Sequence, residues 1–189
     1  MAFLQSGIGS MMQSIIESGV AYGNRYEVLI LPPPILRSGV SPQSLSIRCS
    51  NATIPNKTLG TQSNRLYGPA RNFPFEISYA GETNLSFLLS ADLRERQFFD
   101  SWIDSISDPS SYKVEFYDNY VTEVQIITLG KDDSPSHILY LEEAYPKAIG
   151  EIQLGFDKDG DIMQQEVTFA YRKFRSSYST YAPLVGPVT

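Results

Sequence analysis

One cysteine and one histidine are all that this 189-residue chain holds of the side chains most used in metal and nucleophilic chemistry. With Cys49 alone, no disulfide can close within the chain, and a Cys/His zinc site is excluded. Cys49 lies in an alternating stretch with no histidine or basic cluster close in sequence, so it reads as a small half-buried apolar residue, not a reactive thiol. A serine-histidine triad would have to use His137 with Ser134 or Ser136, and side chains so near in sequence rarely reach triad geometry. Gly7-Ile8-Gly9 lacks a third glycine and a preceding strand, and no glycine loop with lysine is present to cradle a phosphate. The carboxylate pairs Asp132-Asp133 and Glu142-Glu143 are adjacent, so in a strand they point to opposite faces and in a loop they are solvated. The chain therefore reads as non-enzymatic, with no cofactor and no metal.

Long hydrophobic runs are missing as well. No apolar stretch approaches the ~20 residues of a membrane span, and no Lys or Arg precedes Arg25, so the N-terminus lacks the charged region of a signal peptide. A soluble protein made in the cytoplasm is expected, and the sequons at Asn51, Asn56 and Asn84 carry no weight. Positive charge is in deficit, with 15 Lys and Arg against 21 Asp and Glu, a net charge of −6 and a pI of about 4.8. That balance argues against tight binding to nucleic acid by a basic surface, which rests on counterion release, whereas solubility is served by it.

What is present is a core. Hydrophobic residues make up 42% of the chain and aromatics 12%, enough for one domain that buries on the order of 70% of its unfolded surface. Residues 1–23 form a Gly-, Ser- and Met-rich arm with a short helix expected over Met11 to Ser18. Tyr26 to Leu31 reads as a strand stopped by Pro32-Pro33-Pro34. After a loop to Pro42, Leu45, Ile47 and Cys49 alternate with Ser46, Arg48 and Ser50, a strand with one polar face. Asn51 to Asn72 reads as a long loop, and loops of that length in compact domains tend to be functional.

Phe73 to Tyr79 and Leu85 to Leu89 are expected to pair as a hairpin across Gly81-Glu82-Thr83-Asn84. From Ala91 to Ser107 the period changes to that of a helix: Phe99, Trp102, Ile103 and Ile106 share a face, Ser90 or Asp92 caps the start, and Asp108-Pro109 ends it. Strands follow at Lys113 to Phe116, Thr122 to Thr128 and Ile138 to Glu143. Then Tyr145-Pro146 reads as a turn into a last hairpin, where Ile152, Leu154 and Phe156 face Val167, Phe169 and Tyr171. Its turn, Asp157 to Asp161, has alternate carboxylates but is no calcium loop, because Ile162 and Thr168 stand where that loop needs glycine and glutamate. The tail 176–189 is expected to be loosely ordered. The fold class is mainly β, an antiparallel β-sandwich or barrel with one amphipathic helix.

Tyr145-Pro146, Gly150 to Leu154, the Asp/Gly turn and Glu166 to Phe169 together resemble the C-terminal hairpin of tail tube proteins from contractile-tailed bacteriophages of the T-even type. Asn24 to Ile30, Ile47 to Pro55, Asn72 to Tyr79 and Phe98 to Ile106 resemble other segments of that family, in the family's order. The resemblance implies a single tail-tube domain over 1–175 that contributes strands to an oligomeric β-barrel tube of stacked homohexameric rings inside a contractile sheath. It implies partners as well: copies of itself, sheath and baseplate proteins, and a tape measure protein and genomic DNA that pass through the lumen without sequence-specific binding. The place would be the virion tail, assembled in the host cytoplasm, with no membrane. An acidic wall suits that role, since it gives passing DNA no ion-pair traps.

The inter-ring loop would be 51–72, with Ile54, Pro55, Leu59, Leu66, Tyr67 and Arg71 as contacts. Candidate lumen-facing residues are Ser46, Arg48 and Ser50; Glu76 and Ser78; Glu123 and Gln125; and Glu151 and Gln153. Two alternatives stand beside this reading. One is a baseplate tube-initiator or the inner tube of a contractile injection system; the other is a β-sandwich binding module with Tyr112, Tyr117 and Tyr120 as its aromatic platform.

Overall fold

The computed structural model describes residues 20–36, 48–65, 67–155 and 160–178. The arm helix over 11–18, Leu45 and Ile47, the Asp157 to Asp159 part of the turn and the tail beyond Tyr178 lie outside the described residues.

Nine strands and one long helix make up the described chain. They are β1 (Tyr26–Ile30), β2 (Cys49–Ala52), β3 (Lys57–Asn64), β4 (Arg71–Tyr79), β5 (Glu82–Leu88), α1 (Arg94–Ile106), the single turn α2 (Tyr117–Tyr120), β6 (Thr122–Leu129), β7 (Pro135–Ile149), β8 (Gln164–Ala170) and β9 (Lys173–Tyr178). The antiparallel path β1-β6-β7-β8-β5-β2 carries the fold, with β9 added beside β7. Its two ends approach each other, where the Tyr26 hydroxyl donates to the Cys49 carbonyl at 3.3 Å. The result is a nearly closed barrel of two sheets that share β7, as the sequence leads one to expect.

The 15 residues of β7 serve both sheets. Its first part pairs with β6 and β9, and Tyr145 to Ile149 pair with β8. The strand changes sheet at Glu143, a non-glycine residue at φ 55°, where the register against β6 slips by one residue. A bulge of this kind bends a strand around a barrel corner. Pro146 sits at a second slip, where a missing N–H is tolerated. Tyr145-Pro146 is thus inside a strand and makes no turn.

Inward residues alternate as the strand period demands. Val28 and Ile30, Leu85 and Phe87, Val124 and Ile126, Leu139 and Leu141, and Val167 and Phe169 are buried. Helix α1 lays Phe98, Phe99 and Trp102 against them, with Phe99 5.1 Å from Phe87 and Trp102 6.1 Å from Phe169 between ring centroids. The indole N–H of Trp102 donates to the Tyr120 carbonyl at 3.0 Å, so this buried ring leaves no donor unsatisfied. The helix start is braced by Ser90, whose N–H and hydroxyl both donate to Glu95 Oε2 at 2.8 Å.

Four further expectations give way. Phe73 to Tyr79 does not pair with the strand after it: β4 pairs with β3, and β5 lies between β2 and β8. Alternation marks a strand but does not name its partner. Lys113 to Phe116 makes only an isolated bridge, Ser107 to Val114, because no strand lies alongside it. The last hairpin uses Tyr145 to Ile149 against β8, while Glu151 to Gly155 leave the sheet and expose Leu154. Finally, Ser176 to Tyr178 are strand, paired with His137 to Leu139.

Candidate assembly surfaces

The segment read as a long loop is mostly a strand pair. β3 and β4 form a separate two-stranded ribbon, in register from Lys57 opposite Tyr79 to Asn64 opposite Arg71. Nearly every residue of it is exposed. The pairing puts Leu59 and Ile77 on one face. Phe73 and Phe75 lie on the other, after a register slip beside Gly60 that leaves room for the Phe75 ring. Phe73 is 54% exposed and Phe75 68%. A lone two-stranded ribbon is marginal in water, and large apolar groups on both faces are the signature of a surface that another body covers.

The ribbon root is well held. Tyr79 packs edge-on against Phe174 at 5.3 Å, and the Tyr171 N–H donates to the Gly81 carbonyl at 2.9 Å. Of the expected ring-stacking residues, Leu59 and Arg71 stand on the ribbon and Tyr67 at its tip, with Tyr67 95% exposed. Ile54 is exposed just before the ribbon, Pro55 beside it is buried within its own chain, and Leu66 lies outside the described residues.

The expected lumen residues occupy separate places. Ser50 is on the outward face of β2, its hydroxyl donating to the Ser86 carbonyl at 3.2 Å. Arg48 turns instead to Glu95, 3.0 Å away. Burial pushes the Glu95 carboxyl up, but the Ser90 hydrogen bonds and the Arg48 charge outweigh it and hold it below the usual range. Glu76 and Ser78 are on the ribbon. Glu123 and Gln125 are on the outward face of β6, where Gln125 donates to Glu123 at 2.8 Å and Arg175 reaches Glu123 at 3.3 Å. Arg175 also pairs with Glu142 at 3.1 Å and lies over the Tyr140 ring at 4.0 Å. Glu151 and Gln153 fall in the connection between β7 and β8, and Ser46 lies outside the described residues.

Around Ser50 lies a continuous polar face that no single strand reveals. The outward side of β2, β5 and β8 carries Ser50, Asn84, Ser86, Gln164, Glu166 and Thr168, with Asn84 donating to Glu166 at 2.8 Å. Each strand had announced a polar side in its alternation, but only the pairing shows that three such sides adjoin.

Of the three tyrosines read as a platform, Tyr117 and Tyr120 pack edge-on at 5.5 Å, and Tyr120 on Tyr145 at the same distance. Tyr112 stands apart, 83% exposed at φ 53°. Burial, with the neighbouring Glu143, pushes the Tyr117 hydroxyl up to about 12, while Arg172, 2.7 Å from Glu143, holds that carboxyl down. Among the described residues, no cluster of three or more His, Cys, Asp or Glu is placed to hold a metal, and no helix is long and apolar enough to cross a membrane.

Comparison with known proteins places the chain in a family. The family model for phage tail tube protein matches residues 21–177. The chain belongs to the phage tail tube protein family. Its fold is similar to a chain in the sheath-tube complex of PVC, an extracellular contractile injection system in the extended state. The TM-score is 0.60 at 14% identity, over 88% of this chain and 97% of that one. A chain of the anti-feeding prophage baseplate gives 0.58 at 15% identity, over 84% and 96%. A chain of that prophage's tube-terminating cap gives 0.58 at 13%, over 85% and 92%. No curated protein matches the sequence significantly.

Proposed function

We propose that the protein is the structural subunit of a phage tail tube, built as stacked homohexameric rings through which a tape measure protein and genomic DNA pass inside a contractile sheath. It acts as a wall, not as a catalyst. The observation that carries this reading is the β3–β4 ribbon, apolar on both faces and uncovered by its own chain, in a member of the tail tube family. Ring closure and stacking give such a ribbon and the free sheet edges their partners, through head-to-tail contacts that must close to avoid an endless ribbon. The domain is 1–175, and ring stacking uses Ile54, Leu59, Tyr67 and Arg71 within the 51–72 segment. For the lumen, the small and polar outward face of β2, β5 and β8 is the surface best suited, since it can meet water with no large apolar loss. Assembly takes place in the host cytoplasm and the product is the virion tail.

Likeness of fold to chains of the PVC and anti-feeding prophage particles supports a second reading, the inner tube or a tube-initiating ring of an injection particle. Copy number per particle separates the two, many rings for a tube and one for an initiator. Negative-stain microscopy of the purified chain tests both: hollow tubes or annuli are expected, and a chain that stays a single copy at high concentration contradicts them.

A further inference from the structure

The molecule has a second uncovered apolar surface, far from the ribbon in sequence and opposite to it in charge. Between α1 and α2, Tyr112, Val114 and Phe116 are 83%, 69% and 81% exposed. They sit on a braced loop. Asp108 Oδ1 accepts from the Ser110 N–H at 2.9 Å and from its hydroxyl at 2.7 Å, and Asp108 Oδ2 accepts from the Ser111 hydroxyl at 2.6 Å. The Glu115 N–H donates to the Ile106 carbonyl at 2.9 Å, and the Tyr112 N–H to the Asp108 carbonyl at 2.8 Å. A loop that holds three large apolar groups in water by so many internal bonds has already met the ordering cost of binding.

Charge says what fits it. Over residues 108–118, Lys113 stands against Asp108, Glu115 and Asp118, a surplus of two negative charges. Over the ribbon and its tip, Lys57, Arg65 and Arg71 stand against Glu76, a surplus of two positive charges in a chain whose net charge is −6. Among the described residues, none of those three cations has an ion-pair partner in its own chain. We infer that the basic, apolar β3–β4 ribbon of one copy docks on the acidic, aromatic 108–118 loop of a second copy, so that each subunit carries both halves of a head-to-tail contact. Complementary charge fixes the register of such a contact and disfavours ribbon-to-ribbon and loop-to-loop pairing. The inference rests on the tube reading and adds the receiving surface to it.

Two variants test it. Phe73→Ser/Phe75→Ser removes the donor and Val114→Ser/Phe116→Ser the acceptor, all at exposed positions, so unchanged thermal melting confirms the fold of each. Wild-type chain is expected to form tubes, and each variant alone to lose them. Mixing the two preparations is expected to give pairwise products, such as stacks of two rings, because each product joins the one intact donor to the one intact acceptor and exposes only inactive surfaces. Lys57→Glu/Arg71→Glu, which keeps the apolar groups, is expected to regain tube yield as salt screens the repulsion. Tubes of normal length from the Val114→Ser/Phe116→Ser variant would overturn the inference while leaving the tube reading intact. So would a mixture that shows no pairwise product. Wild-type chain that never associates would overturn both.

Discussion

Strands β5 and β4 carry the same kind of sequence and meet opposite fates. In β5, Thr83, Leu85 and Phe87 alternate with polar residues and are all almost fully buried. In β4, Phe73, Phe75 and Ile77 are as apolar, yet each is more than half exposed. The difference lies in what lies over them. β5 has β2 and β8 on its two sides and Phe99 above Phe87, whereas β4 has only β3. Local pattern specifies a strand; the cover decides whether that strand stabilises a monomer or an assembly.

That contrast can be sharpened by substitution, beginning where the barrel is densest. Trp102→Ala removes a fully buried ring that touches Phe98 and Phe169, and should cost about 3–5 kcal/mol in chemical denaturation. Next comes the charge under the helix start. Glu95→Gln leaves Arg48 and Ser90 without their carboxylate and should cost about 2 kcal/mol at neutral pH, as for a charge-assisted hydrogen bond at a partly solvated site. Because the folded Glu95 carboxyl lies below its ordinary range, its contribution is present above the unfolded glutamate pKa and is lost as pH falls through the folded value. The stability gap between wild type and Glu95→Gln should therefore close in acid, and a gap that widened there would refute the assignment.

The ribbon should behave in the reverse way. Phe73→Ser/Phe75→Ser is expected to change monomer stability by less than about 0.5 kcal/mol, as for exposed positions away from the core, while abolishing tubes in sedimentation. A loss of several kcal/mol would mean that the ribbon belongs to the barrel after all. Smallest of all should be Lys147→Met, which removes the exposed pairing with Glu82 and should leave the denaturation midpoint unchanged, because a solvent-screened surface pair contributes little.

How much of this was legible in the sequence follows from the same physics. The helix could be read because Phe99, Trp102 and Ile106 recur at its period and Asp108-Pro109 stops it. The inward faces of β5, β6 and β8 could be read because one buried side forces strict alternation. Partners could not, since β4 alternates as well as β5 does, and only the fold reveals which strand lies alongside. Ile152 and Leu154 alternate too, but lie outside any sheet. The candidate surfaces suffered from the same gap. Leu59, Tyr67 and Arg71 can be named as candidates from their segment alone and stand exposed on the ribbon and its tip, whereas the polar face of Ser86, Glu166 and Thr168 exists only once three distant strands are placed side by side. The bulge at Glu143 left no mark of its own, as the position carries no glycine or asparagine to announce a positive φ.

The central claim is that the β3–β4 ribbon is finished by another copy of the chain, and amide hydrogen exchange reads this strand by strand. In assembled tubes, the amides of Lys57–Asn64 and Arg71–Tyr79 should exchange slowly, and in single copies of the Phe73→Ser/Phe75→Ser variant they should exchange fast while β5 and β8 stay protected. Slow exchange of the ribbon in single copies, or fast exchange within intact tubes, would contradict the account.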